Sequence, residues 1–308
     1  MKKYNPRLIF NCIFCAILII YIIYQILLVA NLPDYFKRNI VTMDVTRTIT
    51  GVYLGKAVGT LMPKIPENVA KKLLGFPANP KACESIARIG NINDGGKFIC
   101  LDHMNFTKSS SPSCTVYSFG VNFDFSFDKA MARLGCKIHS FDPFMFLQIP
   151  KHLRNSLKKK IIPHEVHFHS IGLGFDENIN RTKKNNDDDD DGIVFKSLSS
   201  IANEVGDKQI DVLKIDIEGS EWNILDKFID QDLDQIDVKQ ICIEIHLNHR
   251  ITTPREVKSI LTKLYHKGYE LWNREDNIPH SMFIEWGGYH IRNAYELSFI
   301  KTTTKNKH

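Results

Sequence analysis

The sequence lacks a strong excess of charge of either sign. Its 308 residues include 40 Lys and Arg and 35 Asp and Glu, which leaves a formal net charge of only +5. The basic residues form no long run of the kind that follows a phosphate backbone. This charge balance argues against a nucleic-acid partner.

Cysteine is also scarce, and no two cysteines have the C-x-x-C spacing that is typical of zinc sites. Two of the seven cysteines, Cys12 and Cys15, lie in a long apolar stretch, and the other five lie in the rest of the chain. Because five is odd, at least one of these is expected to stay unpaired. The cysteine spacing therefore does not support a zinc site.

Strongly polar residues are nearly absent from residues 8–30, where only Asn11 and Gln25 interrupt an uncharged apolar run. A helix of this length covers roughly 34 Å, enough for a hydrocarbon core of ~30 Å, whereas a signal-peptide core has ~7 to 15 apolar residues. Leu28 also fits poorly at the −3 position of a cleavage site after Ala30. We therefore expect an uncleaved transmembrane signal anchor.

The anchor defines the expected domain organisation. The parts are a short basic cytoplasmic tail (1–7), the signal anchor (8–30), a proline-containing stem (31–80), a globular domain (81–300) with an acidic loop insertion (183–192), and a polar tail (301–308). The basic tail favours a lumenal domain, although Lys37 and Arg38 weaken the asymmetry. We expect a single-pass protein of the secretory pathway, in the Golgi or the ER, with no prediction of oligomeric state.

Beyond residue 80, apolar segments alternate between the periods of strands and helices. Strands are predicted near residues 115–119, 137–142, 165–169, 212–217 and 240–247, and helices near 125–134, 151–159, 198–205, 222–229 and 254–266. Two final strand-like runs, Tyr269–Trp272 and Ser281–Trp286, have no helix between them. The pattern predicts an α/β fold with a Rossmann-like, mostly parallel sheet and an antiparallel terminal strand.

A strand, a glycine and a helix follow one another at Thr115–Leu134, which is the shape of a nucleotide-binding turn. The turn lacks the second and third glycines of G-x-G-x-x-G, but Asp142 ends the next strand 22 residues after Gly120. An acid at that place can accept hydrogen bonds from a ribose diol. Asp94-Gly95 is either a plain hairpin turn or a second ligand-binding turn. The predicted cofactor-binding residues are Phe119, Gly120, Asn122, Asp142, Asp94 and Gly95.

The stretch Asp211–Trp222, D-V-L-K-I-D-I-E-G-S-E-W, predicts a strand that turns through Gly219 into a helix capped by Ser220. Side chains alternate along a strand, so Asp216 and Glu218 are expected to share a face at its carboxyl end, where open α/β sheets bind ligands. The next strand predicts that Glu244 and His246 point to the same cleft. Solvated loop or edge positions are the alternative for all four.

Four motifs resemble the membrane-anchored methyltransferase-like protein 24 family, itself similar to FkbM-type methyltransferases. They are Y-S-F-G-V-N-F-D-F-S-F-D at Tyr117–Asp128, H-S-F-D-P at His139–Pro143, L-K-I-D-I-E-G-S-E-W at Leu213–Trp222 and I-E-I-H at Ile243–His246. The resemblance implies a class I methyltransferase fold that holds S-adenosylmethionine along its first two strands. Asn122 and Phe123 depart from the pattern, since many methyltransferases have a further small residue there.

The resulting hypothesis is a membrane-anchored, S-adenosylmethionine-dependent methyltransferase whose acceptor is a hydroxyl of a small molecule or glycan. His246 or Asp216 is the candidate base, while Glu218 and Glu244 orient the acceptor or a divalent cation, for which the sequence gives no support. The bulky Asn122-Phe123 loop suggests one alternative, a non-catalytic binding protein on the same fold. The other is a lumenal glycosyltransferase, which the pairing of Gly120 with Asp142 disfavours.

Overall fold

The computed structural model describes residues 52–56, 78–92, 94–102, 104, 114–147, 149–179, 193–248, 252–277, 281–286 and 288–302. The predicted cytoplasmic tail, the signal anchor at 8–30 and the acidic insertion at 183–192 lie outside the described residues. Within those residues, no helix is long and apolar enough to cross a bilayer.

The described chain alternates strands and helices. The strands are β1 (Val52–Lys56), β2 (Ser85–Ile89), β3 (Lys97–Cys100), β4 (Cys114–Phe119), β5 (Cys136–Phe141), β6 (Val166–His169), β7 (Ile171–Leu173), β8 (Glu177–Ile179), β9 (Ile193–Lys196), β10 (Gln209–Ile215), β11 (Asp237–His246), β12 (Tyr269–Asp276), β13 (Phe283–Trp286), β14 (Tyr289–Arg292) and β15 (Ala294–Lys301). The helices are α1 (Ser126–Arg133), α2 (Lys151–Ile161), α3 (Leu198–Val205), α4 (Glu221–Lys227), α5 (Leu233–Gln235) and α6 (Pro254–His266), with a 3₁₀ turn at Pro80–Ala82 and a π turn at Phe228–Asp232.

A seven-stranded sheet in the order β12-β15-β11-β10-β4-β5-β6 forms the centre of the fold. Five neighbouring strands of this sheet, in the order β6, β5, β4, β10 and β11, pair in parallel. Strand β15 is antiparallel to both of its neighbours, β11 and β12. The predicted α/β class and the mostly parallel sheet are confirmed. The antiparallel strand is the last in the chain but lies one place inside the edge.

Two hydrophobic cores cover the two faces of this sheet. Helices α3, α4 and α6 pack on one face, and α1 packs with the β2–β3 hairpin on the other. The central strand β10 is buried on both faces, with Val212, Leu213 and Ile215 fully inaccessible, as expected of an internal parallel strand. The β2–β3 hairpin therefore covers part of the sheet that a helix could otherwise cover. It also places Lys97 against the sheet.

The end of the chain differs from the sequence expectation. Ser281–Trp286 was expected to join the sheet, but Phe283–Trp286 pairs only with β14 in a separate hairpin, and Ala294–Lys301 takes the place beside β11. Burial explains the choice. Seven consecutive residues of β15 are buried, as an internal strand requires, whereas Phe283 is 58% exposed.

Two further details concern the N-terminal part of the described chain. Residues 52–56, which the sequence analysis assigned to the stem, pair antiparallel with β2 and extend the β2–β3 hairpin to three strands. Disulfides join Cys83 to Cys100 and Cys114 to Cys136, and Cys242 is a buried free thiol. The expectation that at least one cysteine stays unpaired is confirmed.

Candidate active site

A cavity of about 640 Å³ opens at the carboxyl ends of β4, β5 and β10. Its volume is in the range of ligand pockets, ~300 to 1,000 Å³, and its place is where open α/β sheets bind ligands. The structure brings all six predicted cofactor-binding residues to its wall: Asp94, Gly95, Phe119, Gly120, Asn122 and Asp142. Asp216 and Glu218 also line the cavity. Glu244 and His246 were predicted to point into the same cleft but are not among its lining residues, although His246 Nε2 lies 3.6 Å from Glu218.

Gly120 is required by the packing of the protein's own backbone rather than by the approach of a ligand. Its φ of +75° is in the left-handed region, and a Cβ there would lie 1.5 Å from the carbonyl oxygen of Asp216. The Asp216 amide in turn donates to the Phe119 carbonyl at 3.1 Å. The sequence suggested that the missing side chain admits a ligand, but the backbone of the β10 loop fills that space. The glycine thus fixes the distance between the two loops that form the cavity floor.

Asp142 anchors the loops on both sides of the cavity. Its Oδ2 accepts from the Asn122 amide at 3.0 Å, and its Oδ1 accepts from the Phe144 and Met145 amides at 2.9 Å each. These bonds hold Asn122 and Phe123 at φ values of 41° and 67°, which are unusual for residues with a side chain. The bulky loop is therefore an ordered wall of the cavity, with the Phe123 ring 46% exposed.

Asp94 and Gly95 form a hairpin turn and also lie at the cavity, so the two alternatives that the sequence left open are compatible. They form the turn of the antiparallel β2–β3 hairpin, in which the Gly95 amide donates to Asp94 Oδ1 at 2.8 Å, and they line the cavity. A Cβ on Gly95 would lie 2.8 Å from Asp124 Oδ2. Asp124 Oδ1 also accepts from the amide of Ser126, the first residue of α1, at 2.8 Å. The hairpin turn is consequently packed against the start of α1.

A buried charge cluster adjoins the cavity, and it is composed of Lys97, Lys214, Asp216, Glu244 and Glu296. Lys214 and Asp216 also line the cavity. Lys97 Nζ lies 3.1 Å from Asp216 Oδ2, 2.5 Å from Glu296 Oε1 and 3.6 Å from Glu244 Oε2. Lys214 Nζ lies 3.4 Å from Asp216 Oδ2 and donates to the Gly120 carbonyl at 3.3 Å. Four segments that are distant in sequence are thus joined through two lysines.

The cluster separates the protonation states of its carboxyl groups. Burial raises the pKa of Asp216, but the charges of Lys97 and Lys214 outweigh it and hold that pKa well below its usual range. Burial, together with the charges of Asp216 and Glu296, raises the pKa of Glu244 to about 8, against the opposing effect of Lys97. At neutral pH, Asp216 is therefore ionised and a poor proton acceptor, whereas Glu244 is mostly protonated.

His246 is surrounded by three carboxyl groups. Its Nδ1 lies 3.2 Å from Glu221 Oε1, and its Nε2 lies 3.6 Å from both Glu218 Oε2 and Glu244 Oε1. Burial lowers the pKa of His246, but the hydrogen bond and charge of Glu221, with Glu244 and Glu218, raise it to about 9. Near neutral pH the His246 ring is therefore mostly protonated, and of the two candidate bases it is the one that becomes able to accept a proton as pH approaches 9.

The predicted common face of Asp216 and Glu218 is wrong. Strand β10 ends at Ile215, and Glu218 has a left-handed φ of 55°, so strand alternation no longer applies. The Asp216 side chain is 12% exposed and faces Lys97, whereas that of Glu218 is 80% exposed at the cavity rim. Ser220 is the N-cap residue of α4, as predicted, but its side chain makes no capping hydrogen bond. Instead, Glu221 Oε1 accepts from the Ile217 and Gly219 amides at 3.3 and 3.1 Å.

Sequence reasoning missed the residues that complete the site: Lys97, Lys214, Glu221 and Glu296. Lys214 and Glu296 interrupt apolar strands, in D-V-L-K-I and A-Y-E-L-S-F-I, and Lys97 begins one, K-F-I-C. A charge inside a buried strand needs a partner, so these interruptions were a usable signal. Glu221 carried no such signal, because an acid in the first turn of a helix is common.

The described residues give a cation no evident place in the cavity. Among them, the one set of three ligand atoms within 4.8 Å of one another belongs to Cys83, Cys100 and Asp102. Both of these cysteines are in a disulfide, so their sulfur atoms are not thiolate ligands. Glu218 and Glu244 are not part of such a set.

Comparisons with known proteins place this geometry in context. A family model described as "Methyltransferase domain" matches residues 74–290. Probable methyltransferase-like protein 24 of Homo sapiens is 28% identical over 222 residues, which cover 67% of this chain and 56% of that protein. The Rattus norvegicus protein of the same name is 28% identical over 249 residues, which cover 72% and 61%. The chain thus spans less than two thirds of the length of either relative.

Among solved structures, the fibrillarin pre-rRNA processing protein of Methanococcus jannaschii is 10% identical and covers 70% of this chain and 89% of its own. Its TM-score is 0.36. Because that score is below 0.5, the description of the fold rests on the strand order and pairing of this chain itself.

Proposed function

This chain belongs to the methyltransferase-domain family and has a class I methyltransferase-like α/β fold, and from this premise we propose that it is a membrane-anchored, S-adenosylmethionine-dependent O-methyltransferase. One observation carries the proposal. The Gly120 turn, the Asp142 carboxylate and Asp216 converge on a single cavity at the carboxyl ends of β4, β5 and β10. That convergence fits a bound donor with its ribose near Asp142 and its methyl group toward Asp216.

The residues of the cavity fit the chemistry of this donor. S-adenosylmethionine, when bound, supplies an electrophilic methyl group on a sulfonium centre. The carboxylates of Asp94, Asp142, Asp216 and Glu218 suit a cationic ligand, and Phe144, Met145 and Ile149 offer apolar surface for a flat base. A carboxylate has about four acceptor positions, so Asp142 can bind a hydroxyl in addition to its three amide donors.

In this proposal the chain's own residues align the reactants and manage one proton. Asp216, held ionised by two lysines, places a fixed negative charge at the cavity wall, where it stabilises positive charge on the donor. The hydroxyl of the acceptor must lose a proton, and the proton acceptor in this proposal is the neutral form of His246, which becomes abundant as pH approaches 9. The Phe123 and Phe144 rings at the mouth restrict water access.

Location and acceptor are proposed on separate grounds. Two disulfides in the described chain favour an oxidising compartment, and the apolar residues 8–30 behind a basic tail favour a single-pass anchor with the domain in the Golgi or ER lumen. A lumenal O-methyltransferase would encounter glycans, so we propose a carbohydrate or other small-molecule hydroxyl as the acceptor.

The test is a titration of the full chain with S-adenosylmethionine, with nucleotide sugars as the competing ligand class. Methyl-labelled donor is then incubated with glycan, lipid and protein fractions. We expect donor binding and label in the glycan or small-molecule fraction. Asp142→Ala should abolish donor binding, whereas Asp216→Ala should keep binding and lose turnover, with Asp226→Asn on the exposed face of α4 as the control.

Other outcomes would identify another function. Donor binding without label in any fraction would favour the non-catalytic binding protein, which the unusual Asn122-Phe123 conformation also allows. Tight binding of a nucleotide sugar in place of the donor would favour a glycosyltransferase. Unchanged turnover in both Asp142→Ala and Asp216→Ala would sink the assignment of the site.

A further inference from the structure

Glu221 connects the loop after β10 to the end of β11. It is fully buried, at 0% exposure, although it is the first residue of α4. Its Oε1 accepts from the Ile217 and Gly219 amides and lies 3.2 Å from His246 Nδ1. Its Oε2 is buried with no hydrogen-bond partner among the described residues. A buried carboxylate with so little compensation is costly, which indicates a role beyond starting a helix.

This contact fixes the orientation of the His246 ring. With Nδ1 donating to Glu221, the neutral ring carries its lone pair on Nε2, as in other carboxylate–histidine pairs. Nε2 faces Glu218, whose exposed carboxylate lines the cavity rim, and the side chain of His246 is 21% exposed on that side. The Trp222 indole donates to the His246 carbonyl at 2.7 Å and so fixes the backbone beneath the ring. The ring therefore places Nε2 beside the cavity rim, 3.6 Å from both Glu218 Oε2 and Glu244 Oε1.

We propose that Glu221 is the positioning residue that holds His246 as the proton acceptor, and that the acceptor hydroxyl binds between His246 and Glu218. This inference rests on the proposed methyl transfer. As the hydroxyl oxygen bonds to the methyl carbon, the carbon–sulfur bond of the donor breaks with its electron pair left on sulfur. The hydroxyl proton passes to His246 Nε2 and then to solvent past Glu218. The acceptor side of the cavity is thus the side of the loop after β10.

The dependence on pH follows from the groups that face His246: Glu221 from α4, Glu218 from the turn and Glu244 from its own strand. Burial lowers the pKa of His246, and these three carboxyl groups raise it to about 9. The neutral, proton-accepting ring therefore becomes more abundant as pH rises toward that value. The rate of methyl transfer should rise with pH up to about 9. Removing the charge of Glu221 should shift this rise in rate to lower pH.

The decisive variant is Glu221→Gln. The glutamine oxygen can still accept from the Ile217 and Gly219 amides, so the loop keeps its anchor while the charge is lost. NMR titration of histidine-labelled full chain, with His246→Gln to assign the signal, reads the ring directly. We expect the His246 midpoint to fall by at least one pH unit in Glu221→Gln, with the Nδ1-protonated tautomer losing its preference. Asp226→Asn, on the same helix but exposed, should change neither.

Kinetics provide the second readout. Glu221→Gln should lower kcat on the order of 10- to 100-fold, a part of the ~10²–10⁴-fold that a positioned base contributes, with donor KM unchanged. Glu221→Asp should recover part of the loss in kcat. If Glu221→Gln does not fold, Glu221→Asp is measured in its place. An unchanged His246 titration in a folded variant overturns the proposal, and so does an unchanged pH profile of kcat. The titration needs neither donor nor acceptor, so absence of transfer by the wild type would instead refute the proposed function.

Discussion

Replacing Lys97 by methionine tests whether one buried cation holds the back of the site together. Methionine has nearly the same length and fits an apolar environment, so the substitution removes the charge with little change in volume. It deprives Asp216, Glu296 and Glu244 of an ammonium group at 3.1, 2.5 and 3.6 Å. The effect should therefore be electrostatic rather than a packing defect.

The expected loss is large for a single substitution. Removing one partner of a buried ion pair costs ~3–5 kcal/mol, because the other charge is left uncompensated. Lys97 is 2% exposed, so solvent cannot replace it. Lys239→Met is the matched control, since Lys239 is 40% exposed and pairs with Asp237 on the surface, where a pair contributes less than about 1 kcal/mol.

The loss should also depend on pH. In the wild type, the depressed pKa of Asp216 contributes stability that is present above its ordinary value of ~3.9 and lost as pH falls through the folded value. Without Lys97, Asp216 keeps only Lys214 to lower its pKa and Glu244 loses the charge that opposes its rise, so both pKa values increase and the folded variant binds more protons than the folded wild type. The stability of the variant relative to wild type then falls as pH rises. The deficit relative to wild type should be largest near pH 8 and smaller at pH 5.5.

Urea unfolding of the full chain at these two pH values measures the deficit. Trp222, Trp272 and Trp286 are all buried, so tryptophan fluorescence reports on the fold. Adding Glu296→Gln to Lys97→Met should restore part of the stability, because one unpaired charge is removed. A deficit below ~1 kcal/mol at pH 8, or an equal deficit at both pH values, would refute the role given to Lys97.

Three further predictions concern the cavity and its support. Gly120→Ala should abolish donor binding and lower Tm far more than Gly206→Ala, because both residues have a positive φ but only Gly120 would clash, at 1.5 Å from a carbonyl oxygen. Similar Tm values for the two variants would contradict this. Asp142→Asn should weaken donor binding, measured by calorimetry, by roughly 5- to 150-fold. This is the equivalent of ~1–3 kcal/mol for unsatisfied amide donors. An unchanged Kd would show that the two loops keep their positions without the Asp142 carboxylate. Replacing both Cys114 and Cys136 by serine should cost about 3 kcal/mol in urea unfolding, given a loop of 22 residues, and no loss would mean that the bond adds nothing to the parallel pairing of β4 and β5.

The parts of the fold that were predictable have local patterns. Gly120 and Asp142 could be placed at one cavity because each ends a strand whose apolar pattern is visible in the sequence. The helix Pro254–His266 was equally clear, and Thr253 with Glu256 forms a capping box at its start. In these cases the neighbouring residues determine the structure, so a short stretch of sequence is sufficient.

The charges within apolar strands indicate that partners are needed, but which residues pair in the cluster could not be predicted in the same way. Lys97 and Glu296 are 199 positions apart, and each becomes meaningful only when the sheet and the hairpin have packed together.

Glu218 was misplaced for a different reason. Its left-handed φ is imposed by Glu221, which binds the amides on either side of it, and the strand pattern that precedes it carries no sign of this.

The position of β15 has a consequence for biosynthesis. This strand lies between β11 and β12, although both leave the ribosome before it. Until residues 294–301 have been synthesised, the open edge of β11 can pair wrongly with another chain, and Glu296 is not present to accept Lys97. Assembly of the cavity must therefore wait for the last strand. A nascent chain that stalls before Ala294 would hold an incomplete sheet with an unpaired lysine, which is the kind of intermediate that chaperones retain.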